Sequence, residues 1–163
     1  MTKPASLYYD ESHEAFRATV RRFVDKEIAP FVDEWDEAGG FPRELYKKAA
    51  DVGILGLGYP EEFGGSPCDQ FHRIVLSQEL ARAACGGVSA SLMSHSIGSP
   101  PILAVGPDAM KKRVLPQVLA GEKISALAIT EPSGGSDVAQ LRTTARREGD
   151  HYIVNGSKMF ITS

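Results

Sequence analysis

Cysteine is scarce in this sequence of 163 residues: Cys68 and Cys85 are its only two, with no Cys-x-x-Cys pair and no metal-like spacing to histidine. A disulfide scaffold and a cysteine-based zinc module are thereby excluded, and reduced thiols are expected. A basic surplus is also missing. Lys and Arg number 18 against 21 Asp and Glu, for a net charge of −3, which argues against nucleic acid or an anionic membrane as partner. No apolar run approaches the ~20 residues of a membrane span. The stretch Met1–Asp10 has one lysine and no apolar segment, so it does not read as a signal peptide, and cytoplasm is the default expectation. Internal repeats, low-complexity tracts and heptads are absent as well. What is present, 42% hydrophobic and 24% charged residues, suits an ordinary globular protein with a real core.

The first part of the chain reads as helical. Phe16, Val20, Phe23, Val24, Ile28, Phe31 and Trp35 recur mostly three and four apart from Glu11 to about Glu37, marking one buried face of a helix that Pro30 should kink and Gly39-Gly40 should stop. A second helix is expected from Pro42 to Gly53 with Leu45, Ala49 and Val52 inward, then a loop rich in glycine to Pro67. Asp69 can cap a third helix with a stripe of Ile74, Val75, Leu80 and Ala84, ended by Gly86-Gly87. A fourth helix, from about Val88 to Ser96, is made largely of small residues. After Pro100-Pro101 a short helix is expected, then another from about Pro107 to Leu119 with Met110, Val114 and Leu115 inward.

Beyond Gly121 the pattern changes to β. Ile124 to Thr130, Arg142 to Glu148 and His151 to Asn155 read as strands, and Asn155-Gly156 is a strong hairpin turn across which Lys158 to Thr162 should pair back. The fold class expected is therefore mainly α: an all-α domain over residues 1–122, followed over 123–163 by the opening strands of a β domain.

One segment carries more than folding signals: Leu127-Ala128-Ile129-Thr130-Glu131-Pro132-Ser133-Gly134-Gly135-Ser136-Asp137. Its glycines let backbone amides face an anion closely, and Thr130 and Ser136 add hydroxyls. With no lysine in the loop and no Gly-x-Gly-x-x-Gly, it is neither an NTPase phosphate loop nor a dinucleotide fingerprint. Taken alone, an ordinary turn and a phosphate-bearing cofactor both remain open.

With its neighbours, the segment resembles the signature of the acyl-CoA dehydrogenase family. Asn155-Gly156-Ser157-Lys158-Met159-Phe160-Ile161-Thr162-Ser163 resembles that family's second flavin segment. Ile28-Ala29-Pro30, Glu44-Leu45 through Gly64-Gly65, and Lys111-Lys112-Arg113 before Leu115-Pro116 match in kind and order, so the resemblance runs from about Leu7 to Ser163. It implies FAD as cofactor, an acyl-CoA substrate, an electron-transfer flavoprotein or similar acceptor, and a homo-oligomer in the full-length protein. It places Leu127, Ala128, Ile129 and Thr130 along the isoalloxazine ring, Gly135 and Ser136 toward the pyrophosphate and ligand side, and Phe160, Ile161 and Thr162 against the flavin. Ser136 and the helix residues Leu92, Met93 and His95 are the implied substrate contacts. Phe160 stands where the family commonly has tryptophan, and Ser163 where it commonly has asparagine.

The resemblance further implies a C-terminal helical bundle, and a catalytic glutamate within it, beyond Ser163. No catalytic base is therefore expected in these residues, and the chain taken alone is expected to be inactive. The expected reaction is dehydrogenation of an acyl thioester to a trans-2-enoyl-CoA, in fatty acid metabolism. An acyl-CoA oxidase or flavin monooxygenase on the same scaffold, or a non-catalytic truncated chain, are the alternatives. Several residues have plainer readings. Glu131 reads as part of its turn, Glu61-Glu62 and Lys111-Lys112-Arg113 as solvated charge, and the four histidines His13, His72, His95 and His151 as unclustered, with no metal expected.

Overall fold

Eight α-helices and a two-stranded hairpin, in that order, make up the regular structure of residues 6–162, which the computed structural model describes. The expectations for Met1–Ala5 and Ser163 lie outside the described residues. Helix α1, Glu11–Glu27, starts at an Asp10 cap whose carboxylate accepts the Ser12 and His13 N–H groups, while the His13 ring accepts the Asp10 N–H. The long helix expected to Glu37 is broken rather than kinked. Proline has no N–H to give the carbonyl four residues back, so the chain tightens into a 3-10 turn at Ala29–Phe31 before α2, Val32–Ala38. The break keeps Val20, Phe23, Val24, Ile28 and Trp35 buried but leaves Phe31 40% exposed, stacked on Trp35 at 5.5 Å between centroids.

Helix α3, Glu44–Asp51, buries Leu45, Tyr46 and Ala49 against that face. Helix α4, Gln70–Ala81, is capped by Asp69 as the sequence suggests, through a 3.0 Å bond from the His72 N–H. Its buried stripe differs from the expected one: Val75, Leu76, Glu79 and Leu80 face in, Ile74 is 36% exposed, and Ala84 lies past the helix end. Ala84 takes φ +54°, a conformation that ends a helix, so termination comes before Gly86-Gly87. Those glycines instead open α5, Gly86–Leu92. The expected Val88–Ser96 helix is accordingly split between α5 and a single turn, α6, His95–Gly98. Helices α7, Pro100–Val105, and α8, Asp108–Leu119, complete the α part. Leu115 and Leu119 of α8 bury with Tyr59 and Phe63 in a second cluster, while Met110 stays 37% exposed. None of the described helices is long and apolar enough to cross a membrane.

Helix α1 packs along α4, and a carboxylate sits inside that contact. Glu79 is 2% exposed. Arg21 donates to it from Nε and Nη2 at 2.9 and 2.8 Å, Arg17 at 3.2 Å, and Arg82 lies 3.3 Å away. Hydrogen bonds from Arg21, with Arg17 behind them, hold the Glu79 carboxyl below its ordinary value despite burial.

The hairpin pairs β1, Thr144–Glu148, with β2, His151–Asn155, antiparallel, and turns at Gly149-Asp150. Asn155-Gly156 does not form the expected hairpin turn. It ends β2, and the chain after it makes no ladder with β2. Gly156 lies so close to Thr143 that a Cβ would stand 2.1 Å from its Oγ1, and this close approach explains the glycine better than turn chemistry does.

Removing the Glu79 carboxylate leaves guanidinium groups facing an apolar contact. Glu79→Ala should cost about 3 kcal/mol, the low end for a broken buried pair, because Arg21 and Arg82 can turn to water. Urea unfolding monitored by circular dichroism checks this; an unchanged midpoint would show that the arginine cluster is decorative.

Candidate functional site

The two segments singled out by the sequence meet in the structure. Residues 124–130, expected to form a strand, have no regular secondary structure and join no ladder among the described residues. The segment expected to pair with β2 lies against them instead: the Met159 N–H donates to the Thr130 carbonyl at 2.9 Å. A polar device beside this bond holds both. The Lys158 ammonium donates to the Ile129 carbonyl and to Glu131 Oε1, each at 2.9 Å. The Arg142 and Thr143 N–H groups donate to Oε2 and Oε1 of Glu131 at 2.6 and 3.0 Å. Glu131 is 5% exposed and forms a tight reciprocal backbone pair with Gly134.

Glu131 is thus more than a turn residue, although still not a base. The neighbouring Thr143 hydroxyl, the Lys158 ammonium and the two backbone N–H groups hold its carboxyl down to about 2. A carboxylate so saturated with donors is a poor proton acceptor. Lys158, Thr143 and Gly156 were not picked out as site-forming by sequence reasoning. The available signal was a lone cation before Met159-Phe160-Ile161 and a lone anion after Leu127–Thr130, opposite charges in apolar settings that must pair to be buried.

This anchoring leaves one face open. No backbone–backbone hydrogen bond involves Leu127, Ala128 or Ile129 among the described residues, and Leu127 is 42% exposed. Phe160 is 87% exposed at φ +57°, a strained conformation for an aromatic residue and one found at ligand sites. Ile161 is half-buried, and Thr162, Gly135 and Ser136 are exposed. A Cβ added at Gly135 would meet only ordinary contacts with Thr130, so the glycine leaves room there.

The helix residues divide. Leu92 is fully buried in the main core. Met93 and His95 line a cavity of about 360 Å³ with Leu76, Leu80, Arg73 and Leu103. His95 is buried, its Nε2 2.9 Å from the Leu55 carbonyl, and desolvation pushes its pKa below the ordinary value, favouring the neutral ring. The same turn approaches the chain just before Leu127: a Cβ on Gly98 would come within 2.7 Å of Ser125 Oγ and 3.0 Å of the Ala126 carbonyl carbon. Helix α6 thus lines the cavity through His95 and meets the backbone at Ser125–Ala126 through Gly98.

The histidines need a correction. His13 and His72 are 59 positions apart by number, yet their rings stand 4.1 Å apart because α1 packs on α4. Spacing along the chain carries no trace of this contact.

Because the Glu131 carboxyl is depressed on folding, its contribution is complete above the ordinary carboxylate value and is lost as pH falls toward about 2. Amide exchange of Arg142 and Thr143 should show it. Protection should weaken across that acid range in the wild type and already be weak at neutral pH in Glu131→Gln. Equal protection in the two proteins at neutral pH would deny Glu131 this anchoring role.

The family model described as "Acyl-CoA dehydrogenase, N-terminal domain" matches residues 10–122, and that described as "Acyl-CoA dehydrogenase, middle domain" matches residues 126–163. The 3-(aryl)acrylate reductase of Clostridium sporogenes is 41% identical over 158 residues, covering 96% of this chain and 41% of the relative. The mitochondrial long-chain specific acyl-CoA dehydrogenase of Rattus norvegicus is 40% identical over 155 residues, covering 95% and 36%. The crystal structure of an acyl-CoA dehydrogenase complexed with FAD from Bacillus anthracis superposes with TM-score 0.83 at 34% identity, covering 94% of this chain and 27% of that one. The chain spans about two fifths of the length of the curated relatives it matches. With both family models matched in order along nearly all of its length, the chain belongs to the acyl-CoA dehydrogenase family, whose cofactor is FAD.

Proposed function

We propose that the protein takes part in FAD-dependent α,β-dehydrogenation of an acyl-CoA thioester to a trans-2-enoyl-CoA. The observation that carries this reading is the tie of Lys158 and Met159 to Ile129 and Thr130, which leaves the backbone N–H groups of residues 127–129 without backbone partners among the described residues and the Phe160 ring uncovered. The residues present fit the cofactor. The unpaired amides of Leu127, Ala128 and Ile129 suit the polar rim of a flavin ring, Phe160 offers an apolar face, and Gly135 with Ser136 leaves space and a hydroxyl for a phosphate. When bound, FAD supplies the hydride acceptor.

The remaining work of this chain is binding and positioning. Thr130 and Thr162 would hydrogen-bond the ring, and Ile161 would help fix the approach of the second segment. Ser136 lies where ligand and cofactor would meet. Met93 and His95, at the cavity, would close the far end of the acyl site, with Leu92 holding their helix from the core. The neutral His95 ring suits an apolar acyl chain. Proton abstraction falls to a base outside the described residues, since Glu131 is committed to Lys158 and two backbone N–H groups. On this reading residues 1–163 alone do not turn over. An electron-transfer flavoprotein or a similar carrier is the proposed acceptor, and a homo-oligomer the proposed assembly.

The visible spectrum of the holoprotein, followed by anaerobic titration with a panel of acyl-CoA thioesters, tests the reading. Bleaching with an acyl-CoA supports it, and peroxide formed under air would make the enzyme an oxidase instead. No bleaching by any acyl-CoA, together with reoxidation of the dithionite-reduced flavin by an arylacrylate, would move it toward the reductase relative. Thr162→Ala should lose one hydrogen bond worth ~1 kcal/mol, about a fivefold loss in flavin affinity or reduction rate. Met93→Phe should shift preference toward shorter acyl chains. If neither variant moved its readout, these two residues would have no part in the site.

A further inference from the structure

The contact between α1 and α4 assembles a group that the flavin site does not use. We propose that His13, Asp69 and His72 bind one divalent transition-metal ion of the zinc class. One ligand atom from each residue lies within 4.8 Å of the others. The Asp69 carboxylate stands between the two rings, 3.0 Å from His13 Nε2 and 2.8 Å from His72 Nδ1. Metal–ligand bonds of about 2.0–2.1 Å in a tetrahedron place ligand atoms roughly 3.3 Å apart. The two Asp69 contacts therefore need to open by only a few tenths of an ångström, while the two ring nitrogens, within 4.8 Å of each other, close toward the same spacing. Two imidazoles and a carboxylate are the donor set of many three-ligand zinc sites, which leave a fourth position for water.

The surroundings resemble a supporting shell. Asp10 Oδ1 is 2.8 Å from His13 Nδ1, the carboxylate–imidazole pairing that leaves Nε2 to face a metal. The same Nδ1 faces the Asp10 N–H at 3.0 Å, and the tautomer protonated at Nδ1 exchanges that bond for one to the carboxylate. On the other ring, His72 Nε2 looks toward Ser12 Oγ at 3.5 Å. Aromatic rings flank the group: Phe71 and Tyr9 each have centroids 6.0 Å from His13, and Phe16 lies 5.8 Å from His72. The histidine side chains are 5% and 19% exposed, and Asp69 at 53% gives an ion its way in. All three ligands sit at the capped starts of two packed helices, so their backbones are already placed. The ion would cross-link segments 56 residues apart in sequence.

Titration of the chelator-stripped protein with zinc chloride, followed by calorimetry and by thermal unfolding, tests the assignment. One equivalent of zinc should bind and raise the melting temperature, while magnesium chloride should do neither, because imidazole suits zinc and not magnesium. His72→Ala should weaken zinc by at least about a hundredfold, since even outer-shell losses reach that scale. His72→Gln and Asp69→Asn, which keep polar groups and the helix cap, should do the same with native circular dichroism. Cys68→Ser should bind zinc unchanged. The proposal is overturned if the wild type shows no zinc binding, if folded His72 variants bind as tightly as the wild type, or if the Cys68 variant loses the site. None of these readouts depends on flavin or acyl-CoA.

Discussion

A carboxylate can be buried only where enough donors converge on it, and in this molecule two such convergences hold the working parts in place. Glu131 gathers the Lys158 ammonium and the Arg142 and Thr143 amides. That gathering sets residues 158–160 beside residues 127–130 without a shared ladder. Glu79 does the same between α1 and α4 with three arginines. Each anion costs desolvation, which is recovered only in one arrangement of its partners, so each specifies geometry more than it adds stability.

The two anchors answer to different needs. The α part has a continuous apolar core from Val20 to Leu92, and Glu79 only sets how two of its helices register. The β part has almost none: β1 and β2 are exposed along nearly their whole length. Residues 127–130 and 158–160 therefore rely on polar ties, which leave their outer edge uncovered. An edge left open in this way can accept a flat cofactor, whereas a completed sheet would spend its amides on neighbouring strands.

Much of this was legible in the residues. The Asp69 cap, the face of Val20, Phe23, Val24 and Ile28, and the hairpin strands followed from local chemistry acting on nearby residues. The ordered motifs identified the family. In several of the misreadings nonlocal contacts overrode a local preference. Asn155-Gly156 has hairpin chemistry, yet its glycine is needed to let Thr143 approach. Gly86-Gly87 looks like a helix stop, but α4 ends earlier, with Ala84 in a left-handed conformation behind it. The stripe on α4 rotated to carry Glu79 inward, because arginines on α1 await it. The meeting of His13 with His72, like that of Lys158 with Glu131, depends on how distant elements pack, and nothing in their spacing records it.

Gly98 leaves no atom between α6 and the backbone at Ser125–Ala126. With no side chain there to act as a cushion, the helix and the segment at Ser125–Ala126 share one mechanical coordinate. Drawing α6 outward to lengthen the cavity at Met93 and His95 would drag the rail along which Leu127, Ala128 and Ile129 lie. Within this architecture, changes in cavity size come most readily from exchanging side chains such as Met93, and least readily from shifting the helix that carries them.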